Sequence, residues 1–141
     1  MLNGIPLFSW LTESEKSTIA LFAQERKINS GTLLFSENDD ATAMYIVKEG
    51  KLKIYKDRSS WEIPLGFIEP GEMVGEMALF DNTAPKKRFA SVKAVEDTFV
   101  VVIVDYAIVE LSRKHPIVYA KIQQVIQDRN IANIAKRQAG S

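Results

Sequence analysis

The chain has 141 residues, with 18 Lys and Arg against 18 Asp and Glu, so its formal net charge is zero. This length fits one domain with its own core, and the neutral balance excludes a uniformly basic nucleic-acid binder. There is no cysteine and a single histidine, His115, which excludes disulfides, thiolate chemistry and a multi-histidine metal centre.

The N-terminus carries no sign of a secretory signal, because it contains Pro6 and its first basic residue is Lys16. The longest strongly apolar run covers residues 99–104, far below the roughly 20 residues that a membrane helix needs. We therefore expect a soluble cytoplasmic protein without membrane association.

Charge is distributed unevenly along the chain. Residues 1–110 hold 12 Lys and Arg against 17 Asp and Glu, whereas residues 111–141 hold 6 against 1. A basic terminal helix could bind nucleic acid or an anionic membrane. Charge segregation alone specifies no partner, so we favour a cationic helix resting on an acidic body.

The first predicted element is a helix over about 13–24. Thr12 and Glu15 fit a capping box, in which each side chain accepts a hydrogen bond from the other residue's backbone amide. Ile19, Phe22 and Ala23 then share one apolar face at helical spacing.

From residue 25 to residue 104 the pattern changes to short apolar segments separated by turn signals. The segments cover residues 32–35, 44–47, 52–55, 63–68, 89–94 and 98–104. Many short strands at this spacing predict a β-barrel or a β-sandwich.

Helical patterns return after the predicted strands. Asp105 is placed to cap a helix over 106–114, Pro116 interrupts the pattern, and residues 117–137 contain neither Gly nor Pro. The sequence thus predicts one α+β domain over 1–141, with the barrel at about 25–104 and the C-terminal helices at about 105–137.

The stretch 70–81 differs from its surroundings, because a Pro-Gly turn and a second glycine, Gly75, precede good helix formers. A glycine before a short helix lets backbone N–H groups point at an anion, with help from the helix dipole. Glu76 is an acceptor suited to a sugar hydroxyl, and Arg88 offers a planar donor pair that matches two phosphate oxygens. Together these residues indicate a pocket for a phosphate and a ribose.

The ordered motifs of the chain resemble the cyclic nucleotide-binding domain of bacterial catabolite-activator proteins and kinase regulatory subunits. The resemblance runs from Leu7 into the last helix and is carried by LLFSENDD at 33–40, MYIVKEGKLKIY at 44–55, PGE at 70–72, GEMAL at 75–79 and RFASV at 88–92. Several ordered motifs at compatible spacing are more specific than any single one.

The resemblance implies a β-roll, a jelly-roll barrel, between an N-terminal helical segment and C-terminal helices. Residues 75–79 would form a short phosphate-binding-cassette helix. There Gly75 would allow close approach of the backbone, and Glu76 would accept from the ribose 2′-hydroxyl. Met77 belongs to the same ligand-binding segment, with its side chain filling a gap in the core.

The resemblance also implies the contacts to the cyclic phosphate. The amides of Ala78 and Phe89 would donate to it, and Arg88 would pair with its charge. Similar domains bind cyclic AMP (cAMP) or cyclic GMP (cGMP), and members that favour cyclic GMP resemble one another in having Thr where this chain has Phe89. The implied ligand is therefore cyclic AMP. The loop 80–87 looks longer than in close bacterial relatives, and Arg88 rather than Lys86 is selected by the Ala-Ser-Val string that follows.

Two functions stay open at this point. The first is a non-enzymatic sensor module in which the cyclic nucleotide repositions the C-terminal helix. The second is a β-roll protein-interaction module that has lost nucleotide binding, because Phe89 could crowd the phosphate. Catalysis is not expected, since no Ser or acid is placed to form a triad and one histidine excludes the metal site of a cupin.

The final helix predicts a second contact. One face, which we expect to pack against the barrel or a partner helix, carries Tyr119, Ile122, Val125 and Ile126. A second face carries Ile131, Ile134 and Ala135, and a single stripe cannot bury both groups. A homodimer would bury the second face, and a frayed terminus is the alternative.

The same helix predicts a contact to the base and bears on DNA binding. Extending the register of bacterial catabolite activators places Asn133 where those proteins read adenine. Similar regulators carry a helix-turn-helix after this helix, for which we see no space after residue 137. We therefore expect no sequence-specific DNA binding by this chain.

Overall fold

The computed structural model describes residues 2, 4–76 and 86–139, with side chains in the last helix described to residue 128 apart from residue 126. A 3₁₀ turn over Pro6–Phe8 precedes helix α1, Glu13–Ala20. Helix α2, Asp105–Lys114, and helix α3, Pro116–Ala139, follow the strands. Nothing helical within those ranges combines the length and apolar character needed to cross a bilayer.

Between the helices, the described residues form two antiparallel sheets of four strands each. One sheet has the strand order β1-β8-β3-β6 and the other β2-β7-β4-β5. The strands are β1 (Ala23–Ile28), β2 (Leu33–Phe35), β3 (Ala43–Glu49), β4 (Leu52–Arg58), β5 (Trp61–Ile68), β6 (Met73–Val74), β7 (Ser91–Ala94) and β8 (Thr98–Val104). Two packed sheets with flanking helices form a β-roll, so the predicted α+β fold is confirmed.

Helix α1 begins where the sequence predicts and ends earlier. The Thr12 hydroxyl accepts from the Glu15 amide at 3.2 Å, and Glu15 Oε1 accepts from the Thr12 amide at 2.9 Å, so the capping box is confirmed. The predicted end near residue 24 is wrong, because Ala23–Ile28 pairs with β8 as an edge strand.

The strands separate two groups of buried residues, because successive side chains of a strand point to opposite faces of its sheet. We call the group between the first sheet and the helices the helix-side core; its members include Met44, Ile46, Met73, Ile103, Ile108, Val118 and Ile122. The group that joins the two sheets is the inter-sheet core; its members include Tyr45, Val47, Leu52, Val74, Val92 and Val100. Strands β3 and β6 thus contribute to both cores.

The joint between α2 and α3 differs slightly from the prediction. Asp105 is the first residue of α2 rather than its N-cap, and its carboxylate accepts from the Tyr106 amide at 2.7 Å. Pro116 opens α3, where its missing N–H costs no helical hydrogen bond. His115 Nε2 lies 2.5 Å from Glu15 Oε2, which ties α1 to the joint.

Helix α3 is anchored to the body through its first turns. Val118 and Ile122, one helical turn apart, are fully buried in the helix-side core. Tyr119, which we expected on the same buried face, is 47% exposed, because a shift of one residue turns a side chain about 100° around the helix axis. The side chain of Ile126 lies outside the described residues.

Candidate functional site

The backbone of Arg88 is held by the turn between β2 and β3. The Arg88 amide donates to the carbonyl oxygen of Asp39 at 2.8 Å, and the Arg88 carbonyl accepts from the Asn38 amide at 2.9 Å. Asn38 adopts a φ of 73°, a left-handed conformation that Asn tolerates better than most residues. These two hydrogen bonds fix the position of residue 88, which lies three residues after the end of the undescribed segment 77–85.

The side chain of Arg88 points into the barrel and is 3% exposed. Its Nη2 donates to the Ala43 carbonyl at 2.7 Å and its Nη1 to the Gly75 carbonyl at 2.9 Å. The guanidinium carbon lies 4.1 Å from the centre of the Phe35 ring and 5.7 Å from that of Tyr45. Its Nε makes no hydrogen bond within the described residues.

The surroundings of Arg88 have two opposing effects on the pKa of its guanidinium. Burial lowers the pKa of the guanidinium, while Tyr45, Asp39 and Glu76 oppose that decrease. Arginine nevertheless stays protonated at neutral pH. The site therefore contains a permanent positive charge, removed from water, whose two terminal nitrogens donate to neutral carbonyl oxygens. Hydrogen bonds from such a cation to an anion are stronger than those to a neutral acceptor.

Gly75 lies against this cation and has to be a glycine. It follows β6, whose residue Val74 pairs with Tyr45 of β3. Its φ is +87°, and a Cβ added there would lie 2.7 Å from Arg88 Nη1. A side chain would thus meet both an unfavourable backbone conformation and the guanidinium. The group beside Gly75 in this structure is Arg88 itself, and the predicted close approach of a ligand to the Gly75 backbone stays a prediction.

Glu76 follows Gly75 and is the most completely buried charged residue of the described chain, at 0% exposure. Carboxylates are almost never buried to this extent without a compensating partner. Its negative charge is one of those that raise the pKa of Arg88. A buried acid and a buried base therefore border the same region of the roll.

Phe89 is 45% exposed, so its ring does not fill the interior beside Arg88. The Arg88 carbonyl already accepts from the Asn38 amide. Because the C=O and N–H of a trans peptide point in opposite directions, the Phe89 N–H is directed away from the 36–40 turn. The predicted role of this amide as a donor requires such an orientation.

The predicted site residues divide into three groups. Gly75, Glu76 and Arg88 come together, and Phe89 adjoins them. Met77, Ala78 and Leu79, the remaining residues of the predicted cassette helix, lie outside the described residues. The backbone of Asn133 belongs to α3, but its side chain also lies outside the described residues.

Other contributors were missed at the sequence level. Phe35 and Tyr45 contact the guanidinium, yet in sequence they are indistinguishable from ordinary core residues of strands. Ala43 acts through its backbone carbonyl, which no residue type reveals. Among the described residues, no His, Cys, Asp or Glu cluster could hold a metal ion.

Comparison with known proteins connects this geometry to a family. The family description "Cyclic nucleotide-binding domain" matches residues 25–115. The chain is 30% identical over 129 residues to the cyclic AMP receptor protein of Thermus thermophilus, covering 91% of this chain and 58% of that protein. It is 26% identical over 96 residues to a cAMP-dependent protein kinase regulatory subunit of Mycosarcoma maydis, covering 68% and 18% respectively. The chain thus spans less than two-thirds of these relatives.

Solved structures agree with the sequence relatives. The crystal structure of the Thermus thermophilus catabolite activator protein superposes with a TM-score of 0.72 at 29% identity, over 95% of this chain and 62% of that chain. The family match extends from β1 to the end of α2 and includes Gly75, Glu76, Arg88 and Phe89. The family match, the sequence relatives and the fold therefore agree: the chain belongs to the cyclic nucleotide-binding domain family.

Proposed function

We propose that this chain is a non-enzymatic sensor module that binds a cyclic nucleotide, preferentially cyclic AMP, inside its β-roll. The observation that supports this most directly is the buried guanidinium of Arg88, which donates to neutral carbonyl oxygens and has an Nε without a partner in the described residues. A cyclic phosphate carries one negative charge and offers acceptors that suit these donors. Its binding would replace hydrogen bonds from the guanidinium to neutral carbonyl oxygens by stronger hydrogen bonds to an anion.

In this proposal the residues around Arg88 divide the recognition between them. Gly75 keeps the space next to Nη1 open to the phosphate, since any Cβ would occupy it. Glu76 accepts from the ribose 2′-hydroxyl, and the amides of Phe89 and Ala78 donate to the phosphate. Met77 supports the same segment from the core side.

Cyclic AMP is preferred to cyclic GMP in this proposal for two reasons. Phe89 stands where relatives that favour cyclic GMP resemble one another in having Thr. Two relatives, the Thermus thermophilus receptor and the Mycosarcoma maydis kinase subunit, are also named for cyclic AMP. Asn133 would read the adenine edge, because its amide offers both a donor and an acceptor.

The route from the ligand to α3 passes through β3. The backbone carbonyl of Ala43 accepts a hydrogen bond from Arg88, and the ring of Tyr45 lies beside the guanidinium. Between them, Met44 points to the opposite face, where it belongs to the helix-side core together with Ile122 of α3. Helix α2 contacts both β3 and α3, so a shift of β3 on ligand binding would reach α3 through α2 and the helix-side core. Coupling requires that the ligand bind two positions of α3 with different affinity.

The remaining parts of the proposal concern partners and location. The second apolar face of α3 would be buried in a homodimer, and the module would act in the cytoplasm. We propose no sequence-specific DNA binding by this chain. A promoter-specific mobility shift that survives competitor DNA would contradict that part.

Isothermal titration calorimetry of the purified, nucleotide-stripped protein with cyclic AMP and cyclic GMP tests the proposal. We expect saturable binding of both, with the smaller dissociation constant for cyclic AMP. Tighter binding of cyclic GMP would overturn the base preference. Absence of binding for both would overturn the sensor function and favour the protein-interaction module, in which the carbonyls of Ala43 and Gly75 satisfy Arg88 permanently.

A further inference from the structure

Lys56 connects three parts of the roll next to the candidate site. It lies in β4, and its ammonium donates to Glu37 Oε2 at 2.9 Å and to the carbonyl oxygen of Phe89. The side chain is 24% exposed, as is that of Glu37. One ammonium group thus joins β4, the turn after β2 and the residue that follows Arg88.

Glu37 is itself held in place, which makes it a firm anchor for Lys56. Arg58 Nη1 lies 3.3 Å from Glu37 Oε1, and the Glu37 amide donates to the Ser91 hydroxyl at 2.9 Å. The hydrogen bond from Lys56 lowers the pKa of the Glu37 carboxyl, with Arg58 adding to the effect and burial opposing it. At neutral pH this carboxylate is ionised and offsets the charge of Lys56.

We propose that Lys56 is a positioning residue for the anion site, an inference that rests on the proposed function. The turn holds the Arg88 peptide groups from one side, through the Asp39 carbonyl and the Asn38 amide. Lys56 holds the next carbonyl of the chain, that of Phe89. The backbone that carries both the guanidinium and the Phe89 amide is thereby fixed at two points.

The same strand offers a matched control. Lys53 is 21% exposed and makes a comparable ion pair, with its Nζ 3.0 Å from Glu62 Oε1. It does not hydrogen-bond to the 86–90 segment in the described structure. Lys53→Met and Lys56→Met therefore remove the same charge, the same kind of ion pair and similar buried surface, but only the second releases Phe89.

Amide hydrogen exchange of the ligand-free protein tests the positioning role directly. The amides of Arg88 and Asn38 are hydrogen-bonded, so their exchange reports on the stability of this segment. We expect about tenfold faster exchange at both amides in Lys56→Met, corresponding to one lost hydrogen bond, and wild-type rates in Lys53→Met. Equal exchange rates in the two variants would overturn the inference.

Calorimetry with cyclic AMP then tests the consequence for binding. We expect Lys56→Met to weaken binding about 5-fold to 10-fold, with Lys53→Met unchanged. Lys56→Arg should restore most of the affinity, because a guanidinium can also donate to both acceptors. The ³¹P chemical shift of bound cyclic AMP should move in Lys56→Met and stay at the wild-type value in the other two variants.

The outcomes separate this inference from the proposed function. Wild-type protein that binds neither cyclic nucleotide contradicts the proposed function, and the exchange experiment then still decides whether Lys56 orders the segment. Wild-type protein that binds cyclic AMP, together with equal affinities of Lys56→Met and Lys53→Met, contradicts the inference alone.

Discussion

Replacing Arg88 by alanine should affect stability as well as ligand binding. The substitution removes the hydrogen bonds to the buried carbonyl oxygen of Ala43 and to the partly buried carbonyl oxygen of Gly75, together with the contact with the Phe35 ring. Leaving a buried polar group without its partner costs about 1–3 kcal/mol. Removing the desolvated charge of Arg88 offsets part of that cost. We expect the free energy of unfolding to fall by about 2–4 kcal/mol.

The same substitution should weaken cyclic AMP binding independently of that loss. A hydrogen bond between charged partners contributes about 1.5–3 kcal/mol, which corresponds to roughly 10-fold to 150-fold in affinity. Urea denaturation gives the stability, and calorimetry at a temperature where the variant is fully folded gives the dissociation constant. Measuring both separates lost binding from lost folding.

Lys87→Ala provides the matched control for Arg88→Ala. Lys87 is the preceding cation, exposed and paired with Asp40 at the surface. Its removal should change the stability by less than about 0.5 kcal/mol and leave the affinity unchanged. If Arg88→Ala binds cyclic AMP normally and Lys87→Ala does not, the alignment across the 80–87 loop that selects Arg88 as the phosphate-binding residue is wrong. Wild-type stability of Arg88→Ala would contradict the structural role of the two carbonyl bonds.

Three further changes have distinct expected outcomes. Glu76→Gln should weaken cyclic AMP binding less than Arg88→Ala in the same calorimetric assay, because an amide oxygen still accepts from the ribose. Gly75→Ala should lower both the free energy of unfolding and the affinity for cyclic AMP. Gly71 has a φ of +89°, and the atom nearest to an added Cβ is 4.0 Å away, so Gly71→Ala should lower only the free energy of unfolding, by the backbone cost of about 1–2 kcal/mol. Equal affinities of the two variants for cyclic AMP would contradict this expectation. The hydrogen bond from the Thr12 amide lowers the pKa of the Glu15 carboxyl from 4.5. The stabilisation that this carboxylate provides is therefore fully present above pH 4.5 and is lost as the pH falls through the lower pKa of the folded state. Thermal melts across acidic pH should therefore show a smaller acid-induced loss of stability in Glu15→Gln than in the wild type.

The sequence predicts the roll itself because apolar segments and turn residues alternate at strand-like spacing. It does not predict β1, whose sequence AQERKI buries only Ile28 fully. An edge strand of this kind is specified by backbone pairing with β8 rather than by its own side chains, so it leaves little pattern in the sequence. The end of α1 was consequently placed too late.

The candidate site was predictable in its charges but not in its geometry. The string after the 80–87 loop selected Arg88, and the structure brings that residue to Gly75 and Glu76. The acceptors of its guanidinium are backbone carbonyls, which are present in every residue and therefore carry no sequence signal. Lys56 was missed for a related reason, since its role depends on the Phe89 carbonyl and on a carboxylate 19 residues away in the chain.

The length of α3 makes its distal half testable on its own. A helix of 24 residues is about 36 Å long, and its fully buried side chains within the described part, Val118 and Ile122, lie in the first two turns. Removing residues 128–141 leaves those anchors in place, so the shortened protein should fold. Whatever the truncation changes in ligand binding or assembly can then be assigned to the distal half.

We expect the protein without residues 128–141 to bind cyclic AMP more weakly and to lose selectivity over cyclic GMP, because Asn133 is removed. The oligomeric mass from light scattering should fall to that of a monomer, because the second apolar face is removed as well. Asn133→Ala in the full chain separates the two effects: it should lower the affinity for cyclic AMP and leave the mass unchanged. Unchanged affinity and unchanged mass after truncation would contradict both the adenine contact and the dimer, and would leave the position of α3 to be set by its buried first turns.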